Sequence, residues 1–121
     1  MPEDELQAGA QVTPPQDGES GWFGVRCFFR WSEPATYEER ITLWKAASLD
    51  DAIAMAEEDA KAYADRLKAE YLELAQAYWI GPKPPASGSE AFSLMRDSEL
   101  DADTYLDTFF DTGQERQQSS E

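Results

Sequence analysis

The chain has 121 residues, 25 acidic against 10 basic, a net charge of −15, no histidine and one cysteine. Such a field repels nucleic acid and anionic lipid and attracts cationic proteins, while the missing histidine removes nucleophile–histidine catalysis and leaves zinc and iron–sulfur centres without a ligand set. The length sets the expectation of one domain, and an apolar fraction of 41% with 12% aromatic residues is more than a disordered acidic polymer carries.

Residues 1–21 hold five acids and no base, pass through Thr13, Pro14, Pro15 and Gly18 and show no apolar period, so they read as a flexible acidic leader. The acidic start lacks the basic and apolar parts of a secretory signal, and no run reaches the roughly 18 apolar residues a membrane span needs, so a cytoplasmic location is expected. A lone cysteine agrees with a reducing compartment. One α+β domain is expected over residues 22–112, with a disordered tail over 113–121. Residues 22–110 carry 17 acids and nine bases, a net of −8, so the folded body itself is acidic.

Phe23, Val25, Cys27, Phe29 and Trp31 alternate with Gly24, Arg26 and Arg30, the period of a strand with one buried face. Turn residues 32–36 follow. A second strand then places Ile41 and Leu43 on one face and Trp44 on the opposite one, and two strands this close form an antiparallel hairpin. Ser48 is a good N-cap, with Asp51 near the positive helix end, and Leu49, Ala52, Ile53, Ala56, Ala60, Tyr63, Ala64 and Leu67 recur at three and four. That is an amphipathic helix of about 20 residues. Its outer face carries Asp50, Glu57, Glu58 and Asp65, with Glu57–Lys61 and Asp65–Lys68 at pairing distance.

Residues 71–80 fit either a strand or a continuation of the helix, and the aromatic and isoleucine enrichment near position 80 favours the strand. Gly81, Pro82, Pro84 and Pro85 end it and open a solvated loop. Residues 90–96 make a fourth strand with Phe92 and Leu94 on one face. Asp101 caps a short helix whose apolar side is Tyr105, Leu106, Phe109 and Phe110, with Gly113 at its stop. The expected architecture is two-layered: a four-stranded antiparallel sheet, one long amphipathic helix on one face in the order β-β-α-β-β, and a short C-terminal helix.

Trp22-Phe23-Gly24-Val25-Arg26, the run Glu39-Arg40-Ile41-Thr42-Leu43-Trp44-Lys45-Ala46, the helix start Ser48-Leu49-Asp50-Asp51-Ala52-Ile53 and the later Glu90-Ala91-Phe92-Ser93 form a pattern. Over most of the expected domain the chain resembles the bacterial domain of unknown function 4288 family. It departs from that family in the proline-rich loop at 82–85 and the extension over 101–110. The resemblance implies the sheet-and-helix fold and brings no activity, cofactor or site residue with it.

Cys27 falls on the apolar face of a strand with no partner nearby in sequence, as a buried structural thiol does. Asp97, Glu99, Asp101, Asp103 and Asp107 are spaced like calcium-loop acids, but counting from Asp101, Leu106 stands where that loop needs glycine and Thr112 where it needs glutamate. Phosphate-cradling glycine motifs are absent, and a domain this small has little room for a catalytic pocket beside its core. No catalytic residue, cofactor or metal is therefore expected. Trp22, Phe28 and Trp44, alternating with Arg26, Arg30 and Arg40, fall on the strand faces away from the core, to be covered by the last helix or by a second copy. Two functions follow. The first is a non-enzymatic acidic protein-binding module, in its concrete form an immunity or inhibitor protein, that docks on a basic partner through Asp50, Glu57, Glu58 and Asp65 with Trp44 as an anchor. The alternative is a self-associating accessory domain, a homodimer closed over Trp22, Phe28 and Trp44, whose charge serves solubility.

Overall fold

In the computed structural model, which describes residues 20–32 and 36–116, Gly21–Trp31 forms strand β1. Its alternate residues Phe23, Val25, Cys27 and Phe29 are all buried. Thr36–Ala46 is β2, Leu49–Leu67 is helix α1, Ala69–Gly81 is β3 and Ala102–Phe109 is helix α2. β1 is the central strand of an antiparallel sheet ordered β2-β1-β3. α1 crosses from β2 to β3 and packs on one face, giving a β-β-α-β unit followed by an extended arm and α2. Of the leader expected over 1–21, residues 1–19 lie outside the described residues and Gly21 already belongs to β1; most of the first turn and residues 117–121 of the expected tail also lie outside them.

The α1 boundaries follow local chemistry. Ser48 Oγ accepts from the Asp51 N–H at 3.0 Å, and at the other end Lys68 turns left-handed at φ 61° with its N–H bonded to the Ala64 carbonyl. That reversal ends the helix, so residues 71–80 enter the sheet instead of prolonging α1.

The expected four-stranded sheet is not formed: the sheet has three strands, and residues 90–96 are exposed and join no ladder. The edge nearest to them in sequence is irregular. Along β3 the register slips between Trp22 and Phe23 and between Cys27 and Phe29, leaving Ile80 and residues 72–74 without one-to-one partners, and Glu73 sits at φ 64°. Bulges of this kind twist a strand and end pairing on its outer side. Pro82, Pro84 and Pro85 then lead the chain away.

β2 also faces the other way from expectation. Its register sets Trp44 opposite Phe23, Thr42 opposite Val25 and Arg40 opposite Cys27, so Trp44 and Arg40 lie on the helix side while Ile41 and Leu43 lie on the open side. Both faces of β2 are apolar in sequence, and alternation alone does not say which one meets the helix. Pairing decides it: the Trp44 ring packs against the core and its Nε1 donates to Thr42 Oγ1 at 2.6 Å.

The core sets large rings on the sheet into small residues on the helix. Phe23 and Phe29 are fully buried, and opposite them α1 presents Ala52, Ala56, Ala60 and Ala64, also buried and spaced by one turn. Phe29 meets Tyr63 at 5.1 Å and Tyr71 at 5.5 Å between ring centroids, and Phe23 meets Trp79 edge-on at 5.1 Å. Truncating Phe29 to alanine is expected to cost about 3–5 kcal/mol in urea unfolding. Ala56→Leu is expected to cost about 1–3 kcal/mol by lifting the helix off the sheet, although it adds apolar surface.

Candidate functional site

The face of the sheet away from α1 is built from Trp22, Gly24, Arg26, Phe28 and Arg30 of β1. Across the ladder they meet Lys45, Leu43, Ile41, Glu39 and Tyr37 of β2. Tyr37, Ile41 and Leu43 are 62%, 47% and 46% exposed along the β2 side, with Glu39 standing between Tyr37 and Ile41. On the β3 side Tyr78 stands opposite Gly24. Its ring lies over the glycine so closely that a Cβ there would come within 2.5 Å of it.

A stack grows from that contact. Phe92 packs on Tyr78 with centroids 4.8 Å apart. The Arg26 guanidinium lies 5.1 Å from the Phe92 centroid and 5.6 Å from that of Phe28, and it donates to Glu39 at 3.1 Å and Gln76 at 3.3 Å. This stack pins the loop after β3 to the open face. Beyond Phe92 the arm leaves the sheet. Arg96 donates to the Tyr105 hydroxyl at 3.0 Å and lies 4.5 Å from the Phe109 centroid, and no residue of α2 is buried. Tyr105, Leu106, Phe109 and Phe110 thus do not close over Trp22 and Phe28, as the sequence allowed.

Between arm and sheet opens a wide cleft of about 1090 Å³, lined in part by Arg26, Tyr37, Glu39, Phe92, Arg96 and Phe109. It runs from the open face round the Thr36–Arg40 end of β2, where Glu38 and Arg40 of the helix side also line it, whereas the sequence directs attention to the space beside the core. Its carboxylates are engaged: Glu39 by Arg26, Glu38 by Tyr63 and Trp31, and Glu115 by Thr112. Among the described residues of the cleft no two acids are left unengaged and converging on one point. Among the described residues no group of three or more cysteines and carboxylates is placed to hold a metal, and Asp101 instead caps α2 by accepting from the Thr104 N–H at 2.8 Å.

On the helix side, Arg40 pairs with Asp59 at 3.0 Å and lies 3.8 Å from the Tyr63 centroid. The Tyr63 hydroxyl donates to the Glu38 carboxylate at 2.9 Å, and Tyr71 donates to Glu57 at 2.6 Å. Burial and then the Glu38 hydrogen bond push the Tyr63 hydroxyl up to about 12. Tyr71 is raised by burial and by Glu57, Tyr78 by burial, and the Cys27 thiol by burial. Cys27 is a free, buried cysteine.

The acids named from sequence share one side of α1, within about 100° of arc at the helical repeat. Asp50, Glu58 and Asp65 are exposed, but Glu57 is half-buried and tied to Tyr71, an interaction that spacing along the helix cannot show. Trp22 and Phe28 lie on the open face; Trp44 does not join them, and it is half-buried beside the helix. The sequence reading missed Tyr37, Ile41 and Leu43 as surface residues and Arg26 as the centre of an aromatic stack. Gly24, a side-chain gap between Trp22 and Arg26, was the available signal for the latter.

Among the described residues no helix is long and apolar enough to cross a membrane. Compared with protein-family models, with curated proteins and with solved structures, the chain matches none.

Gly24→Ala is expected to displace Tyr78 and with it Phe92, costing about 1–3 kcal/mol in urea unfolding, and proteolysis between residues 82 and 96 should accelerate in the folded chain. The tyrosines make stability fall in alkali. A phenol near 10 when unfolded and about 12 in the fold favours folding fully below pH ~10 and loses that contribution as pH rises towards 12. The urea midpoint should drop across that window, and Tyr63→Phe should flatten part of the drop.

Proposed function

We propose that this chain is a non-enzymatic, acidic protein-binding module that docks on a basic protein, in the manner of an immunity or inhibitor protein. The observation that carries the reading is how the charges are distributed. Each arginine of the sheet is already matched within the fold: Arg26 with Glu39, Arg30 with Glu70 at 2.8 Å and Arg40 with Asp59. Asp50, Glu58 and Asp65, by contrast, engage in no ion pair among the described residues, and they are presented together by a helix that the core holds rigid. The exposed arm adds Asp97, Glu99, Asp103 and Asp107. Lys61 and Lys68 share the acidic side of α1 and are exposed too, so the surface is acidic by excess. With the sheet's arginines neutralised within the fold, that excess is complementary to a cationic protein and speeds its arrival.

Cytoplasmic residence and kinship with the domain of unknown function 4288 family belong to the same proposal. Glu57 contributes to the acidic field but is held by Tyr71, and Trp44 flanks the start of α1 on its sheet side, so Asp50, Glu58 and Asp65 are the contact residues of choice.

A second reading is favoured by the exposed Tyr37, Ile41 and Leu43 together with Trp22 and Phe28 on the same face: a second copy covering them would make the open face a self-association surface, with the charge keeping the chain soluble.

The first reading is tested by capture from native lysate at low salt, identification of a basic partner, and titration of that partner against Asp50→Asn, Glu58→Lys and Asp65→Lys combined. Affinity should fall at least about tenfold in the triple variant, and the wild-type complex should weaken as salt rises and the Debye length shrinks below about 10 Å. An unchanged affinity in the triple variant sinks the assignment.

A further inference from the structure

The two edges of the sheet are not alike. β3 is interrupted at Ile80 and at residues 72–74, with Glu73 turned to φ 64°. β2 runs all 11 of its residues in unbroken one-to-one register with β1, from Thr36 opposite Trp31 to Ala46 opposite Gly21. It contains no glycine, proline or bulge, and among the described residues no strand covers its outer side. A regular edge of this length presents a row of unpaired backbone groups and is a template for another strand.

The residues along β2 select the occupant. We propose that β2 pairs antiparallel with β2 of a second copy, about a two-fold axis through Thr42, joining the two three-stranded sheets into one. Directly opposed residues share a face and the two-fold preserves that face, so the axis must fall on a residue. With the axis on Thr42, five kinds of cross-strand neighbour arise within the strand, of which Glu38 against Ala46 brings no specific match. Thr42 meets Thr42, Ile41 meets Leu43 twice, Glu39 meets Lys45 twice, and Arg40 meets Trp44 twice. The apolar and ionic pairs lie side by side on the open face, where Ile41 and Leu43 are about half exposed in one copy. The Arg40–Trp44 pairs, cation against indole, lie on the helix face.

Neighbouring registers lose this match. An axis on Ile41 sets Glu39 against Leu43 and Glu38 against Trp44. One on Leu43 sets Ile41 against Lys45, and one on Glu39 places that carboxylate opposite itself. Within one copy Glu39 has 61% of its side chain exposed beyond Arg26, and Lys45 has no carboxylate within ion-pair distance among the described residues. Both are available across the axis. The interface leaves the acidic helix stripe uncovered, and on the open face it draws on Ile41 and Leu43 while leaving Trp22 and Phe28 free of it.

Sedimentation equilibrium of the full chain from about 1 to about 100 µM tests the pairing. A monomer–dimer equilibrium is expected, and it should tighten between roughly 10 mM and 0.15 M salt as repulsion between two acidic chains is screened. Binding to a basic partner has the opposite salt dependence, so the two proposals fail separately. Lys45→Glu places glutamate opposite Glu39 at two points and should weaken the dimer at least about tenfold. Adding Glu39→Lys restores the opposite-sign pair in exchanged order and should restore the dimer, with circular dichroism confirming the fold of each variant. Thr42→Cys should cross-link through itself under mild oxidation, because opposed Cα atoms about 4.5–5.5 Å apart are within disulfide reach; Tyr37→Cys should not. A monomer at every concentration overturns the proposal. So does a dimer indifferent to Lys45→Glu, or a Thr42→Cys chain that dimerises without cross-linking, since either result places the contact elsewhere.

Discussion

The insertion of Phe23, Val25 and Phe29 against the alanine row of α1 is the contact on which everything else in this fold rests. Each large buried side chain contributes about 1.5–3 kcal/mol relative to exposure, and the helix meets them mainly with alanines, supplemented by Met55, Tyr63 and Leu67, so it seats close to the strands. A helix about 10–12 Å wide covers two to three strands spaced about 4.8 Å apart. The sheet stops at three. A further strand would have had no helix beneath it, and the irregular outer side of β3 offered it a poor ladder.

One helix on one face leaves the other face to be organised by different means. There the sheet relies on cross-strand charge pairs, Arg26 with Glu39 and Arg30 with Glu70, and on rings laid over gaps, Tyr78 over Gly24 and Phe92 over Tyr78. These contacts are shallower than the core. Three of the four shielded side-chain polar atoms without a hydrogen-bond partner in the described structure, Trp22 Nε1, Arg26 Nε and Tyr78 Oη, belong to this face. Shielded polar atoms left unmatched cost stability, so the open face and the arm beyond it form the looser half of the molecule.

What the residues announced in advance was the local chemistry. Ser48, the alanine spacing and the alternation along β1 each name their element and face, because cap, helical period and strand period are properties of a few neighbouring residues. β2 was legible as a strand but not in its facing, since Ile41 and Leu43 compete with Trp44 and Ala46 and only the pairing with β1 breaks the tie. Residues 90–96 have the composition of a strand, yet whether a strand forms depends on the edge available to it, which is a property of β3. Asp101 announced its cap, while the destination of α2 depends on a face that no local pattern describes. For the candidate surface, the acids of α1 could be read from spacing. The bond from Tyr71 that withdraws Glu57 could not, because it joins two elements.

Edge and helix surfaces combine in a definite way if β2 pairs across a two-fold. That axis stands perpendicular to the sheet, so it keeps both helices on the same side, and the acidic stripes of Asp50, Glu58 and Asp65 come to flank one continuous surface. Two such stripes at fixed separation bind a partner with paired basic patches far more tightly than one does, because the second contact is made at high effective concentration. The opposite side of the joined sheet would present the arms and their aromatic clusters. Charge that hinders association at low ionic strength thereby becomes, once screened, the means by which the associated form discriminates: it favours a partner whose cations match both stripes over one that meets a single helix.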